Sequence, residues 1–220
     1  MGDSKPATQF IIDQQDQVRN TLPFNDKRDF ANAERGFLGR LKPNIVTRED
    51  SNDVVWNNDA YEFLEGEAPD TANPSLWRQS RLSHMDGLYH VAHGIYQVRG
   101  LDLSNTTFIE GDEGLIIIDP LTSKETGAAA LGLYQKHRGS ERAVKAIIYT
   151  HPHVDHFGGV KGFVSEEEVK EKDIKILAPE GFLEHAASEN VFAGTAMSRR
   201  AAYMYGAALQ QQGGRQTIKR

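Results

Sequence analysis

Residues 150–160 read Thr-His-Pro-His-Val-Asp-His-Phe-Gly-Gly-Val, and within six positions they place four side chains able to bind a metal: His151, His153, Asp155 and His156. Imidazole nitrogen and carboxylate oxygen are the donors that Zn²⁺ and similar divalent ions take. Burying so many hydrogen-bonding groups without a use would be costly. His151 and His153 stand two apart, so in an extended segment they point the same way and can grip one ion. Asp155 and His156 are adjacent and follow a turn, so they can face a second, neighbouring ion. One short loop can thus supply half the ligands of two ions, an arrangement that activates a water and steadies developing negative charge. A histidine-rich surface loop is the bland alternative; the Asp-His pair and the flanks weigh against it.

Those flanks must position the donors. Residues 143–149 (AVKAIIY) are short, β-prone and mostly apolar, the pattern of a buried strand. Gly158 and Gly159 free the backbone for a tight turn, with a helix expected from near Gly159. Upstream, residues 94–99, 105–110 and 114–119 read as three short strands separated by turn residues, an antiparallel meander. Residues 123–138 (SKETGAAALGLYQKHR) read as a helix with Ser123 near its N-cap and basic residues in its last turn. An acidic helix is expected around 165–172 and a buried strand over 173–178 (DIKILA). From Pro179 the chain looks helical through Glu184, and again over 195–210, before a polar tail.

Residues 1–80 lack a sustained strand pattern and are rich in Asn, Asp and charge. Residues 26–41 suggest a helix with Asp26 as N-cap, and Trp56, Tyr61, Phe63 and Trp77 are spaced aromatic anchors. This region reads as an arm packed onto a core of residues 81–220; a loose tail is the competing reading.

Several other side chains could carry chemistry. Asp119 ends the apolar run GLIIID. A carboxylate there can hydrogen-bond a ligand histidine and fix its tautomer; an Asp before Pro120 can equally be a turn initiator. His185 is the one in-chain candidate for a further imidazole ligand, with packing or surface placement its ordinary reading. His84, His90 and His93 lack a carboxylate at ligand spacing, and His137 sits near a helix C-terminus, where a cation is favourable. The guanidinium groups of Arg199 and Arg200 suit a sulfate oxyanion, although paired arginines on a helix more often cap or salt-bridge.

Composition bounds the rest. The chain has 220 residues, enough for one domain with a sizeable core, or one domain and an arm. Hydrophobic content of 39% and charged content of 25% suit a soluble globular protein. A net charge of −6 with both signs interspersed offers no basic field to nucleic acid. The absence of cysteine excludes disulfides, thiolate metal sites and cysteine nucleophiles. No run approaches the length of a membrane span. The N-terminal stretch, apolar only at residues 10–12 and flanked by acids, is unlike a secretory signal, so a cytoplasmic location is expected.

His-x-His-x-Asp-His after a strand resembles the signature of the metallo-β-lactamase superfamily of metal-dependent hydrolases. Residues 94–126, 149–163 and 178–206 are similar to its alkyl sulfatase branch, enzymes that release sulfate from detergents such as dodecyl sulfate. The resemblance covers nearly everything from about Leu82 onward and takes in residues 25–38; the Ser-Glu-Asn and Arg-Arg-Ala-x-Tyr-Met-Tyr-Gly runs favour the branch. It implies an α/β (α+β) fold, the N-terminal half of a four-layer αββα sandwich preceded by an irregular N-terminal arm. It implies two zinc ions, one on His151 and His153 and the other on Asp155 and His156, with Asp155 also catalytic and Asp119 holding a ligand histidine. A metal-bridged hydroxide would attack the sulfate ester of an alkyl chain.

In that branch two glutamates and a histidine complete the site downstream of the Arg-Arg run, followed by a helical dimerisation region and an apolar substrate-binding region. The chain is therefore expected to be an N-terminal portion, with little activity alone and a homodimer expected only for a full-length form. Two alternatives stand beside this reading. One is another hydrolase of the superfamily, acting on a thioester, lactam or phosphodiester. The other is a catalytically incomplete fragment that serves as a binding or interaction module.

Overall fold

The computed structural model describes residues 5–139 and 142–206. The chain opens with helix α1 (Gln9–Thr21), capped by the Thr8 hydroxyl, and helix α2 (Arg28–Glu34). The helix expected over 26–41 is thus shorter: Gly36, at φ 78°, turns the chain out of it, and strand β1 (Phe37–Gly39) follows. Its N-cap is Lys27, while the Asp26 carboxylate accepts from the backbone and guanidinium of Arg28.

Strands β2 (Ile45–Thr47) and β3 (Val54–Asn57) pair antiparallel as a separate small sheet. Helix α3 (Pro74–Ser83) starts at Asn73, whose side chain accepts from Ser75 and Leu76. The first eighty residues therefore hold strands, each too short to show an alternating pattern. Polar side chains fasten them: Asn58 Nδ2 donates to Gly100 O at 2.8 Å, and Asn44 Nδ2 to buried Asp86 at 2.6 Å. Val46 is buried in the core and Trp56 packs against it, while Phe63 stands between the rings of Tyr61 and Trp77.

From Gly87 the chain builds its main sheet. Strands β4 (Gly87–Ala92), β5 (Ile95–Arg99), β6 (Thr106–Glu110) and β7 (Leu115–Ile118) run antiparallel in chain order. Helix α4 (Lys124–Arg138) carries the chain back, so strand β8 (Val144–Ile148) pairs with β7 in parallel. Helix α5 (Glu166–Glu171) precedes strand β9 (Lys175–Leu177), parallel to β8. With β1 on the far edge, the order of this seven-stranded sheet is β1-β4-β5-β6-β7-β8-β9. The meander lies where alternation placed it; β4, apolar in its first half and exposed in its second, shows no alternation to find.

Alternation also decides the buried face. Tyr96 and Val98, Thr106 and Phe108, and Leu115 and Ile117 are buried, and α4 lays Ala130, Leu133 and Tyr134 in the same core. Tyr134 stacks on Phe108 with ring centroids 4.4 Å apart. Each such large side chain stabilises the fold by roughly 1.5–3 kcal/mol. Helix α4 starts at a reciprocal cap between Ser123 and Thr126, which satisfies two otherwise orphaned backbone donors.

Two expectations fail here. The helix expected near Gly159 is only a single 3₁₀ turn, Val160–Gly162, with Gly159 as its N-cap, and the α-helix α5 begins later, after its cap Ser165. Strand β9 is exposed rather than buried, because no strand of the described residues lies beyond it; Ile174, just before it, is the buried anchor. Helix α6 (Phe182–Ala187), a π-helical turn at Ser188–Phe192 and helix α7 (Gly194–Met204) follow. The expected continuation of the last helix to Gln210, and the polar tail, lie outside the described residues. No helix among the described residues is long and apolar enough to cross a membrane.

One ion cluster ties β6 to the end of α4. Glu110 accepts from Tyr134 Oη at 2.7 Å and from Arg138 Nε and Nη2 at 2.9 and 3.0 Å. The hydrogen bonds from Arg138 hold the Glu110 carboxyl below the ordinary glutamate range despite its desolvation. Burial first, then the bond to Glu110, pushes the Tyr134 phenol up. A depressed carboxyl pKa contributes stability that is present above about pH 4.3 and is lost as pH falls through the folded value. Glu110→Gln is expected to cost about 1–2 kcal/mol in urea melts at pH 7. That gap should narrow once pH drops below the ordinary glutamate range; a gap independent of pH would show that the charge of Glu110 contributes nothing.

Candidate metal centre

Strands β7 and β8 are parallel neighbours, and the motif begins at their carboxyl ends, where open α/β sheets bind ligands. Pairing continues one step past the strands, with Asp119 N donating to Ile148 O at 2.9 Å. The chain then leaves β7 through two left-handed residues, Asp119 at φ 56° and Leu121 at φ 67°. Asp tolerates that conformation through its short polar side chain, whereas for Leu it costs on the order of 1–2 kcal/mol. The turn brings the Asp119 carboxylate across to the loop after β8. Thr150 N donates to its Oδ1 at 2.8 Å, Thr150 Oγ1 to its Oδ2 at 2.8 Å, and His156 Nδ1 lies 2.8 Å from the same Oδ2.

These contacts assign the imidazole tautomers. An ionised carboxylate only accepts, so His156 carries a proton on Nδ1, and in the neutral ring Nε2 is then the bare nitrogen. The Thr150 hydroxyl proton is committed to Asp119, so its oxygen accepts from His151 Nδ1 at 2.9 Å, leaving His151 Nε2 bare. The bare atoms point inward. His151 Nε2 stands 3.0 Å from His153 Nδ1, and His156 Nε2 stands 3.3 Å from Asp155 Oδ2. Two donor atoms on one tetrahedral zinc ion, with bonds of 2.0–2.1 Å, are about 3.3 Å apart. Both pairs fit such an edge, so the donor set suits zinc by element type, by tautomer and by spacing. Among the described residues no group of three or more His, Cys, Asp or Glu side chains is arranged to hold an ion. The donors come as two pairs, with coordination positions left for water, substrate or further protein groups.

The loop is held from beneath by close backbone contact. Neither Gly158 nor Gly159 adopts a left-handed conformation, so the expected need for a special turn does not hold. Space is what they provide: a Cβ on Gly159 would stand 2.2 Å from Pro120 O, and one on Gly158 would stand 2.3 Å from Thr122 O. Gly159 N also donates to Leu121 O at 2.8 Å. The Ser104 hydroxyl donates to the Asp155 carbonyl. On the other side, Tyr149, Phe157 and Phe182 form a ring cluster with centroids 5.2–6.0 Å apart, seating α6 against the loop.

The structure thus brings His151, His153, Asp155, His156 and Asp119 together. His185 is exposed on α6 with its ring beside Gly181, and Arg199 and Arg200 are exposed on α7. His90 packs on the ring of Tyr96. His84 and His137 line a separate cleft of about 890 Å³ that contains none of the four motif donors. Sequence reasoning missed Thr150, although it immediately precedes the first histidine. It also missed Glu189, whose Oε1 lies 3.3 Å from His153 Nε2; the Ser-Glu-Asn run had marked that position without giving it a contact.

Comparison with known proteins places the chain. Residues 99–207 match the family model described as the metallo-beta-lactamase superfamily. Over 205 residues, 92% of the chain, it is 55% identical to a linear primary-alkylsulfatase of Pseudomonas sp.. Over 191 residues, 86% of the chain, it is 48% identical to an alkyl/aryl-sulfatase of Saccharomyces cerevisiae. The solved structure of a stereoselective inverting sec-alkylsulfatase from Pseudomonas sp. superposes with a TM-score of 0.86 at 46% identity, over 96% of this chain and 33% of that one. The chain belongs to the metallo-β-lactamase superfamily, and its relatives there are alkylsulfatases. It spans about 30% of the length of those relatives. Membership of this superfamily implies a divalent metal ion.

Asp119 gives the site its first test. In Asp119→Asn one acceptor oxygen becomes an amide, so Thr150 and His156 can no longer all be satisfied. Partners of this kind are worth about 10–100-fold in metal affinity, and zinc affinity in a chelator-competition titration is expected to fall within that range. Unchanged affinity would show that Asp119 is only a turn residue.

Proposed function

We propose that the protein hydrolyses alkyl sulfate esters of the dodecyl sulfate type at a centre of two zinc ions, releasing sulfate and an alcohol. One observation carries this reading: two inward-facing donor pairs, 3.0 and 3.3 Å apart, in a chain 55% identical to an alkylsulfatase over 92% of its length. His151 Nε2 and His153 Nδ1 would hold one ion, and Asp155 and His156 Nε2 the other. Zinc held there would lower the pKa of a water and draw charge from the ester oxygens.

The chain's own groups supply the rest. Thr150 and Asp119 keep His151 and His156 in the tautomers that bare their inward nitrogens. Asp155, with a quarter of its side chain exposed, holds a carboxylate oxygen where water can enter and would accept a hydrogen bond from the attacking water. Asp119 accepts from Thr150 N, Thr150 Oγ1 and His156 Nδ1, and these three contacts fix its carboxylate behind the donor pairs.

The pairing of the donors, without a third side chain on either ion among the described residues, favours a second reading: a module that binds metal without turnover. Calorimetry on the 220-residue chain is expected to show zinc binding that is largely lost in His151→Ala combined with His153→Ala. Sulfate release from dodecyl sulfate, followed on the protein isolated from its own host, is expected to stop on chelation and in Asp155→Ala. Zinc bound at the pairs without sulfate release would put the module reading first. Affinity unchanged in the double variant would place the metal elsewhere.

A further inference from the structure

Each of the three imidazoles in the loop has one nitrogen turned inward and one turned outward. Two of the outward nitrogens face the anchored oxygens of Thr150 and Asp119, both at the strand ends. The third, His153 Nε2, faces an oxygen from elsewhere in the chain: Glu189 Oε1, at 3.3 Å. His153 is the most exposed of these rings, with 56% of its side chain open to solvent, and Glu189 is only 29% exposed. Glu189 sits in the π-helical turn Ser188–Phe192 between α6 and α7. Such wide turns re-aim side chains and recur at functional sites. The aromatic cluster of Tyr149, Phe157 and Phe182 seats the start of this segment on the loop.

We propose that Glu189 is the positioning residue for His153. Its carboxylate takes the Nε2–H, so the ring presents Nδ1 rather than Nε2 to the ion shared with His151. The inference rests on the zinc reading above and adds a residue to it. A ring held only by its χ1 and χ2 torsions can turn over and offer the other nitrogen, which would reach the ion from a different depth. A carboxylate on the outer edge removes that choice, and the same contact makes the inward nitrogen a stronger donor. Glu189 acts through His153 and is not itself a ligand.

The test is nitrogen NMR of the imidazole rings in ¹⁵N-labelled, zinc-loaded protein, alongside zinc affinity by chelator competition. In the wild-type protein His153 is expected to bind through Nδ1 with Nε2 protonated. Glu189→Ala is expected to produce a population bound through Nε2 and to weaken zinc about tenfold, while the His151 and His156 signals stay in place. Glu189→Gln keeps an acceptor oxygen and should retain Nδ1 binding and most of the affinity. In a His153→Ala background, Glu189→Ala should have no further effect. Nδ1 binding with unchanged affinity in Glu189→Ala would overturn the proposal. So would a further loss in the His153→Ala background, which would make Glu189 a direct ligand. Absence of zinc binding in the wild-type protein would instead remove the metal reading itself, and this one with it.

Discussion

The carboxylate of Asp119 is the contact on which the site's arrangement depends. A buried acid is tolerable only when its charge is met by hydrogen-bond donors, and here all three come from the loop that must be placed: the Thr150 amide, the Thr150 hydroxyl and His156. The first two hold the end of β8, and the third holds the 3₁₀ turn that carries Asp155. One side chain therefore sets where both donor pairs stand. The surrounding features serve this contact. The parallel register of β7 and β8 brings the two strand ends level, and the left-handed residues on either side of Pro120 turn the carboxylate toward its donors. The glycines let the loop close down on the backbone at Pro120 and Thr122.

The parts of this structure that were legible in the sequence are those written locally. The motif donors lie on one loop, so spacing alone shows how they divide into pairs. The Ser123 cap sits next to the helix it starts, and β5 to β7 alternate over enough residues to reveal their buried face. What sequence could not show depends on partners far along the chain. The reason for Gly159 is the carbonyl of Pro120, which no local pattern records. The exposure of β9 follows from its place at the sheet edge; its composition alone reads as buried. The small strands of the first eighty residues are held by Asn44 and Asn58, residues whose type suggests loop. Glu189 was visible as part of a recurring run, but its neighbour His153 is 36 positions away and became apparent only once α6 was seated.

The site draws on three levels of rigidity. Asp119 and Thr150 are held by the sheet, and the loop by its glycine contacts with the chain before α4. Glu189 is held by a helical segment that reaches the loop through a few aromatic rings. Preorganisation therefore falls off from the His151–His156 side toward His153. The ring with the greatest solvent exposure is also the one whose outer partner has the longest contact.

The segment that carries Glu189 has a second side. Leu183, Val191 and Phe192 are 82%, 72% and 85% exposed there, and Tyr203 on α7 is 90% exposed. Among the described residues β9 is the last strand of the sheet and pairs with β8 alone. Exposed apolar surface of this kind invites association, and here it lies on the segment whose Glu189 faces His153. Whatever covers that surface would also bear on the segment that carries Glu189.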